Sequence, residues 1–293
     1  MSIAAQLGYR PNLLARSLTK RNTHIIAIAI DELKNLHAMR ILDTVTKQLQ
    51  ARGYLTLMLN ITAGDDYQSV IEMADQLQVD GIMFFANTLS NELYEIAHSI
   101  HSVPLIQVCR NSEAHLNIEN INIDGFQAGR EVGQLLLAQG YRRFGYLKGP
   151  DTESSHLLRM EGYQHALSSE NLKIDLLLIA GKYERKAAYV KMKAYLAETL
   201  PEQRIDAIFC ENDILAIGVL EALYEAGNIK SIAVVGFDGT DEADSPVWDL
   251  TTYDQLTEKQ VSEAINRLTG GTHGDESEWR SGKLIVRGSH IKH

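Results

Sequence analysis

Four polar residues stand just beyond short apolar runs: Asp124 after Ile121-Asn122-Ile123, Asn212 and Asp213 after Ile208-Phe209-Cys210, and Asp238 after Val234-Val235-Gly236-Phe237. Arg159 lies on a helical stretch that follows Gly149-Pro150. Each of the four has a bland role open to it, because Asp and Asn at a helix start or turn accept bonds from free backbone N–H groups. Brought to one cleft, however, carboxylates, an amide and a guanidinium match the hydroxyls of a small polar ligand such as a sugar. Other chemistries lack their anchors. No GxGxxG, P-loop, HExxH or GxSxG pattern occurs, so neither a cofactor nor catalysis is expected. His98 and His101 sit at i, i+3 with no third ligand nearby and read as an exposed helix face, so no metal is expected. Cys109 and Cys210 are far apart and outside any CxxC spacing, as befits reduced thiols.

The elements that must position these residues follow a strand–helix rhythm, apolar runs of about five residues alternating with amphipathic stretches of about fifteen. Strands are predicted at 24–30, 54–60, 81–85, 104–108, 120–123, 143–147, 176–180, 207–210, 231–236, 250–253 and 284–286. Helices are predicted at 38–52, 65–78, 92–99, 124–139, 155–168, 183–200, 213–226 and 258–268, with 269–283 a mobile loop rich in Gly and acids. Uninterrupted apolar strands between helices fit parallel sheets covered on both faces. The strands are too many for one compact sheet, and a break near 139–143 divides them. The expected fold is therefore α/β, with two doubly wound parallel-sheet lobes and a ligand cleft between the carboxyl ends of their strands.

Charge is unevenly distributed. Residues 1–22 carry Arg10, Arg16, Lys20 and Arg21 and no acid, leaving 24 basic against 38 acidic residues, a balance of −14, in the remainder. Contact with nucleic acid is thus expected only at the N-terminal end. Gly8 and Pro11 can close one helix and open another over Asn12 to Leu18, two turns that need a partner to be stable. With no apolar run of 18 residues and no leader pattern, a cytoplasmic protein without membrane contact is expected.

Taken in order, these segments resemble the LacI/GalR family of bacterial transcription regulators. The resemblance rests on Leu7-Gly8-Tyr9-Arg10-Pro11-Asn12 with Ala15-Arg16-Ser17-Leu18, on Gly140-Tyr141-Arg142-Arg143 and on Asp206 to Asp213. It continues through Val234 to Asp238 and Leu250-Thr251-Thr252 to Val286-Arg287-Gly288-Ser289, and so spans nearly the whole chain. It implies a core like a type I periplasmic binding protein, a homodimer, and a small sugar or sugar derivative as effector. Effector contacts carried over by the resemblance are Asp124, Ser155, Arg159, Tyr183, Asn212, Asp238 and Gln255, with Asn35 and His37 from the first lobe. Tyr183 would offer an aromatic wall to a sugar face. Residues 1–22 would be a headpiece remnant and hinge, 23–139 with about 255–282 the first lobe, and 140–254 with about 283–293 the second.

Most of the family's helix-turn-helix headpiece is expected to be lacking, Ile3 to Leu7 being its tail. Tyr9, Arg10, Asn12, Ala15, Arg16 and Leu18 would form the hinge that meets operator DNA in the intact protein, Leu18 as a minor-groove wedge. Two departures leave the effector's identity open: Asn60-Ile61-Thr62 where some members place an arginine, and Asp31 to His37 without the common Pro-aromatic pattern. The rival reading is a sugar-binding protein of a transport system, with the same core and no DNA output.

Overall fold

The computed structural model describes residues 22–30, 36–61, 67–85, 103–108, 119–150, 157–227 and 229–291. Tyr9, Arg10, Asn12, Ala15, Arg16, Leu18, Asn35, Ser155, the His98/His101 pair, Cys109 and the helix expected at 92–99 lie outside them.

The first lobe is built on β1 (Ile25–Ile30), whose alternation sorts large from small residues. Ile26, Ile28 and Ile30 face one core with Met83, Val45 and Leu49, while Ala27 and Ala29 face another with Leu59, Ile71 and Phe84. Around β1 the chain adds α1 (Leu36–Ala51), β2 (Leu55–Asn60), α2 (Tyr67–Gln76), β3 (Gly81–Phe85), β4 (Leu105–Val108) and β5 (Glu119–Ile121). The five strands are parallel, in the order β2-β1-β3-β4-β5.

The second lobe contains α3 (Gly125–Ala138), β6 (Phe144–Lys148), α4 (Leu157–Ser168), β7 (Ile174–Ile179), α5 (Arg185–Glu198), β8 (Ala207–Cys210), α6 (Asp213–Glu225), β9 (Ala233–Asp238), β10 (Thr251–Asp254) and β11 (Lys283–Ile285). Its sheet runs β11-β10-β9-β8-β6-β7. The expectation of wholly parallel sheets is corrected at one edge, where β11 pairs antiparallel with β10. One face carries α5 and α6 over Ile208, Cys210 and Val234. The other carries α3 and α4 over Phe144, Phe209 and Phe237.

That second face moves a boundary. With the break at 139, α3 was expected in the first lobe, yet Ala128, Val132 and Leu136 pack with Tyr163 and Phe209 of the second. The turn at Gly140 ends a helix, not a lobe. The chain therefore first crosses at 122–124, crosses back after β10 into α7 (Thr257–Thr269) and α8 (Glu276–Arg280), and crosses a third time into β11. Val261, Ile265, Leu268 and Trp279 complete the first lobe's core.

The expected loop at 269–283 is corrected too, because it holds α8. Asp275 caps this helix through the Ser277 N–H, Trp279 is buried, and the Arg267 guanidinium lies 5.2 Å over the Trp279 ring. The helices α3 and α4 touch backbone to backbone: a Cβ on Gly129 would sit 2.0 Å from the Arg159 carbonyl oxygen, and one on Gly162 1.9 Å from that of Phe126.

Candidate functional site

In open parallel sheets the ligand crevice lies beyond the strand carboxyl ends, where the strand order turns back. The order turns between β1 and β3 in the first sheet and between β6 and β8 in the second. Beyond β6 come Gly149 and Pro150, beyond β8 come Glu211 and Asn212, and β9 ends on Asp238. In the first lobe, His37 and Arg40 stand in the opening turns of α1, the helix that follows β1.

Asp238 is nearly buried and has φ 115°, a conformation that costs a non-glycine residue energy and recurs at ligand sites. The next residue must be glycine: Gly239 has φ 66°, and a Cβ there would meet Asp254 at 2.6 Å. Asp238 Oδ1 accepts from Gln255 Nε2 at 2.7 Å, and Gln255 Nε2 lies 3.5 Å from His37 Nε2. Arg40 Nη1 donates to the Gly239 carbonyl. Both of these last contacts join α1 of the first lobe to the end of the second lobe's sheet, and so hold the two lobes together across the cleft.

Arg159 is 3% exposed, with its guanidinium 3.5 Å above the Phe237 ring and Nη1 donating to the Glu211 carbonyl at 2.8 Å. It is the counter-charge for two carboxylates. Burial pushes Asp238 up to about 7 against the pull of Arg159 and the Gln255 amide. Burial likewise pushes Glu211 up to about 7, against the Gly149 N–H and Arg159. His37 goes the other way, lowered to about 3 by burial and by the charges of Arg159 and Arg40, so it stays neutral. Asp213, also raised to about 7 by burial and by Asp238, accepts from Thr240 N and Oγ1 and from Thr252 Oγ1. It clamps the turn after β9.

These values fix a pH trend. Asp238 keeps its proton in the folded chain over a range in which the unfolded chain has lost it. Its contribution to stability is therefore full below about 4, is lost as pH rises toward about 7, and stays lost above that. In Asp238→Asn the fall in Tm between pH 5 and 8 is expected to be shallower than in the unaltered chain. Equal slopes in parallel thermal melts would contradict this account.

The structure brings Arg159, Asp238, Gln255 and His37 together. Asn212 borders them with its side chain accepting from Leu215 N at 3.1 Å, which is the capping role. Asp124 also caps, accepting from Gln127 N at 2.9 Å, and lines a separate cavity of about 320 Å³ with Tyr253 and Arg280 at the lobe crossing. Tyr183 is not an open wall: it is 5% exposed, packs with Leu147 and Ala188, and acts on the Glu211 carboxyl through its hydroxyl. Glu211, Lys148 and Arg40 join the site without having been expected there. Glu211 carried the same strand-end signal as Asn212, and Arg40 follows His37 at i+3 on the same helix face. Among the described residues no group of three or more His, Cys, Asp or Glu is placed to hold a metal ion, and no helix is long and apolar enough to cross a membrane.

Known proteins agree with this architecture. The model of the periplasmic binding protein-like domain matches residues 134–290. The ribose operon repressor of Escherichia coli (strain K12) is 29% identical over 97% of this chain and 87% of its own length. The transcriptional repressor PurR of Escherichia fergusonii is 27% identical over 90% of this chain and 77% of its own. Among solved structures, the lac repressor dimer bound to operator and an anti-inducer superposes with a TM-score of 0.83 at 18% identity, covering 98% of this chain and 88% of that one. The chain belongs to the periplasmic binding protein-like family and, within it, to the LacI/GalR regulators.

Proposed function

We propose that this chain is the effector-binding and dimerisation core of a DNA-binding transcription regulator, acting in the cytoplasm without catalysis, which senses a small sugar or sugar derivative in its cleft. The observation that carries the reading is the Arg159–Asp238–Gln255–His37 constellation. It offers a guanidinium fork, a carboxylate, an amide and a neutral imidazole to a ligand's hydroxyls, with partners drawn from both lobes. The relatives named above are repressors, which favours a regulator over a transport component. The effector would change operator affinity by favouring one arrangement of the lobes over the other, as linkage requires. Tyr9, Arg10, Asn12, Ala15, Arg16 and Leu18 would carry that change to DNA in a homodimer. Ser155, Asn35 and Asn212 complete the proposed surround of the effector.

A thermal-shift screen of neutral sugars and purine bases tests this reading. One sugar is expected to raise Tm in a concentration-dependent way, and a flat response to every compound would sink it. The cross-cleft contact supplies a second check. Arg40→Met removes a charge-assisted hydrogen bond across the cleft and is expected to weaken effector binding by about tenfold. Unchanged affinity by calorimetry would show that effector binding does not use the Arg40 contact.

A further inference from the structure

The carboxyl ends of β6 and β8 are neighbours at the point where the second sheet's order turns back. Three groups suited to an anion converge there: the backbone N–H of Gly149, Lys148 at the end of β6, and the Arg159 guanidinium. A backbone N–H past a strand end, an ammonium and a guanidinium are what a sugar phosphate or a sugar acid would seek. The corner is already taken. Glu211 is fully buried, its Oε2 accepts from Gly149 N at 2.5 Å, and it feels the Tyr183 hydroxyl and the charges of Arg159 and Lys148. The Tyr183 ring closes the corner from one side, since a Cβ on Gly149 would come within 2.2 Å of it. Nor can Arg159 leave readily, because Nη1 is held by the backbone carbonyl of Glu211 itself.

We infer that Glu211 is an internal anion that fills the anion-accepting corner of the cleft and is a specificity determinant, restricting the effector to an uncharged polyol. This rests on the effector-binding reading above and narrows it. A phosphate or carboxylate on the ligand would have to share a corner closed to water with a like charge, a repulsion that rejects such ligands while neutral hydroxyls still find Asp238 and Gln255. Asp238 at the end of β9, which shares the Arg159 charge, adds to the same bias.

The test is calorimetry on the full chain at pH 8.5, where the Glu211 carboxyl is ionised, with neutral aldoses and ketoses and their matching phosphate esters. The unaltered chain is expected to bind a neutral sugar and to bind its phosphate ester at least about thirtyfold more weakly. Glu211→Gln, which keeps the shape and the acceptor for Gly149 N–H, is expected to narrow that gap by about tenfold while neutral-sugar affinity stays within about threefold. Glu211→Ala, which empties the corner, is expected to narrow it further. A phosphate ester bound by the unaltered chain as tightly as the neutral sugar overturns the inference alone. So does an unchanged gap in Glu211→Gln shown by circular dichroism to be folded. Absence of any binding by the unaltered chain overturns the effector reading together with this one.

Discussion

Arg159→Ala is expected to weaken effector binding by at least about a hundredfold and to lower stability by about 3 kcal/mol. Both effects come from one side chain because Arg159 serves the ligand and the fold alike. It is 3% exposed, covers Phe237 at 3.5 Å and neutralises Asp238 and Glu211. Removing it leaves two buried carboxylates without their counter-charge, and these regain a neutral state only by taking up protons. Arg159→Lys separates the two roles. The charge survives, so most of the stability is expected to return. The flat guanidinium over Phe237 and its paired donors do not, so binding is expected to remain at least about tenfold weak. Calorimetry beside urea unfolding reads both quantities. Alanine with intact affinity would move the pocket elsewhere, and lysine with full affinity would reduce the role of Arg159 to charge.

The second large effect lies at the crossing of α3 and α4. Gly129→Leu is expected to cost about 3 kcal/mol or more, and Gly162→Val a similar amount, because the atoms in the way are main-chain carbonyl oxygens rather than flexible side chains. Even Gly129→Ala must separate the helices by about 1.5 Å to restore an ordinary contact. The oxygen that Gly129 meets belongs to Arg159 itself, so the same shift displaces the guanidinium from Phe237. Loss of effector affinity is thus expected to accompany loss of stability in Gly129→Ala, in a variant that touches no ligand. If Gly129→Ala unfolds within 0.5 kcal/mol of the unaltered chain, an amount near the error of such a measurement, the close approach is not structural.

Much of this is legible in the sequence alone. The strand–helix rhythm located the strands to within a few residues because fully buried runs such as Ile25–Ile30 and Ala207–Cys210 carry no competing pattern. Strand-end polar residues pointed to Asp238 and, through the helix after Gly149-Pro150, to Arg159. What the chain concealed was pairing over distance. Arg40 and Gly239 are 199 residues apart, and nothing local to either announces the contact. The lobe assignment of α3 was hidden for a related reason: Gly140 is a clear stop signal, while the true crossing at 122–124 has neither Gly nor Pro. The helix α8 spans five residues, too few to show a period against an acidic, glycine-rich background. Tyr183 went astray through its environment, since only packing decides whether an aromatic ring faces a cleft or a core.

The three crossings bear on how the chain assembles as it leaves the ribosome. The first lobe holds its five strands by residue 121, yet Val261, Ile265, Leu268 and Trp279 belong to its core. Until those residues emerge, the part of that face beside α1, over β4 and β5, is uncovered, while the second lobe, begun later, needs only the edge strand β11 to finish its sheet. The lobe begun first is therefore finished last or nearly so, and a nascent chain released after residue 254 would present an apolar sheet face ready to aggregate.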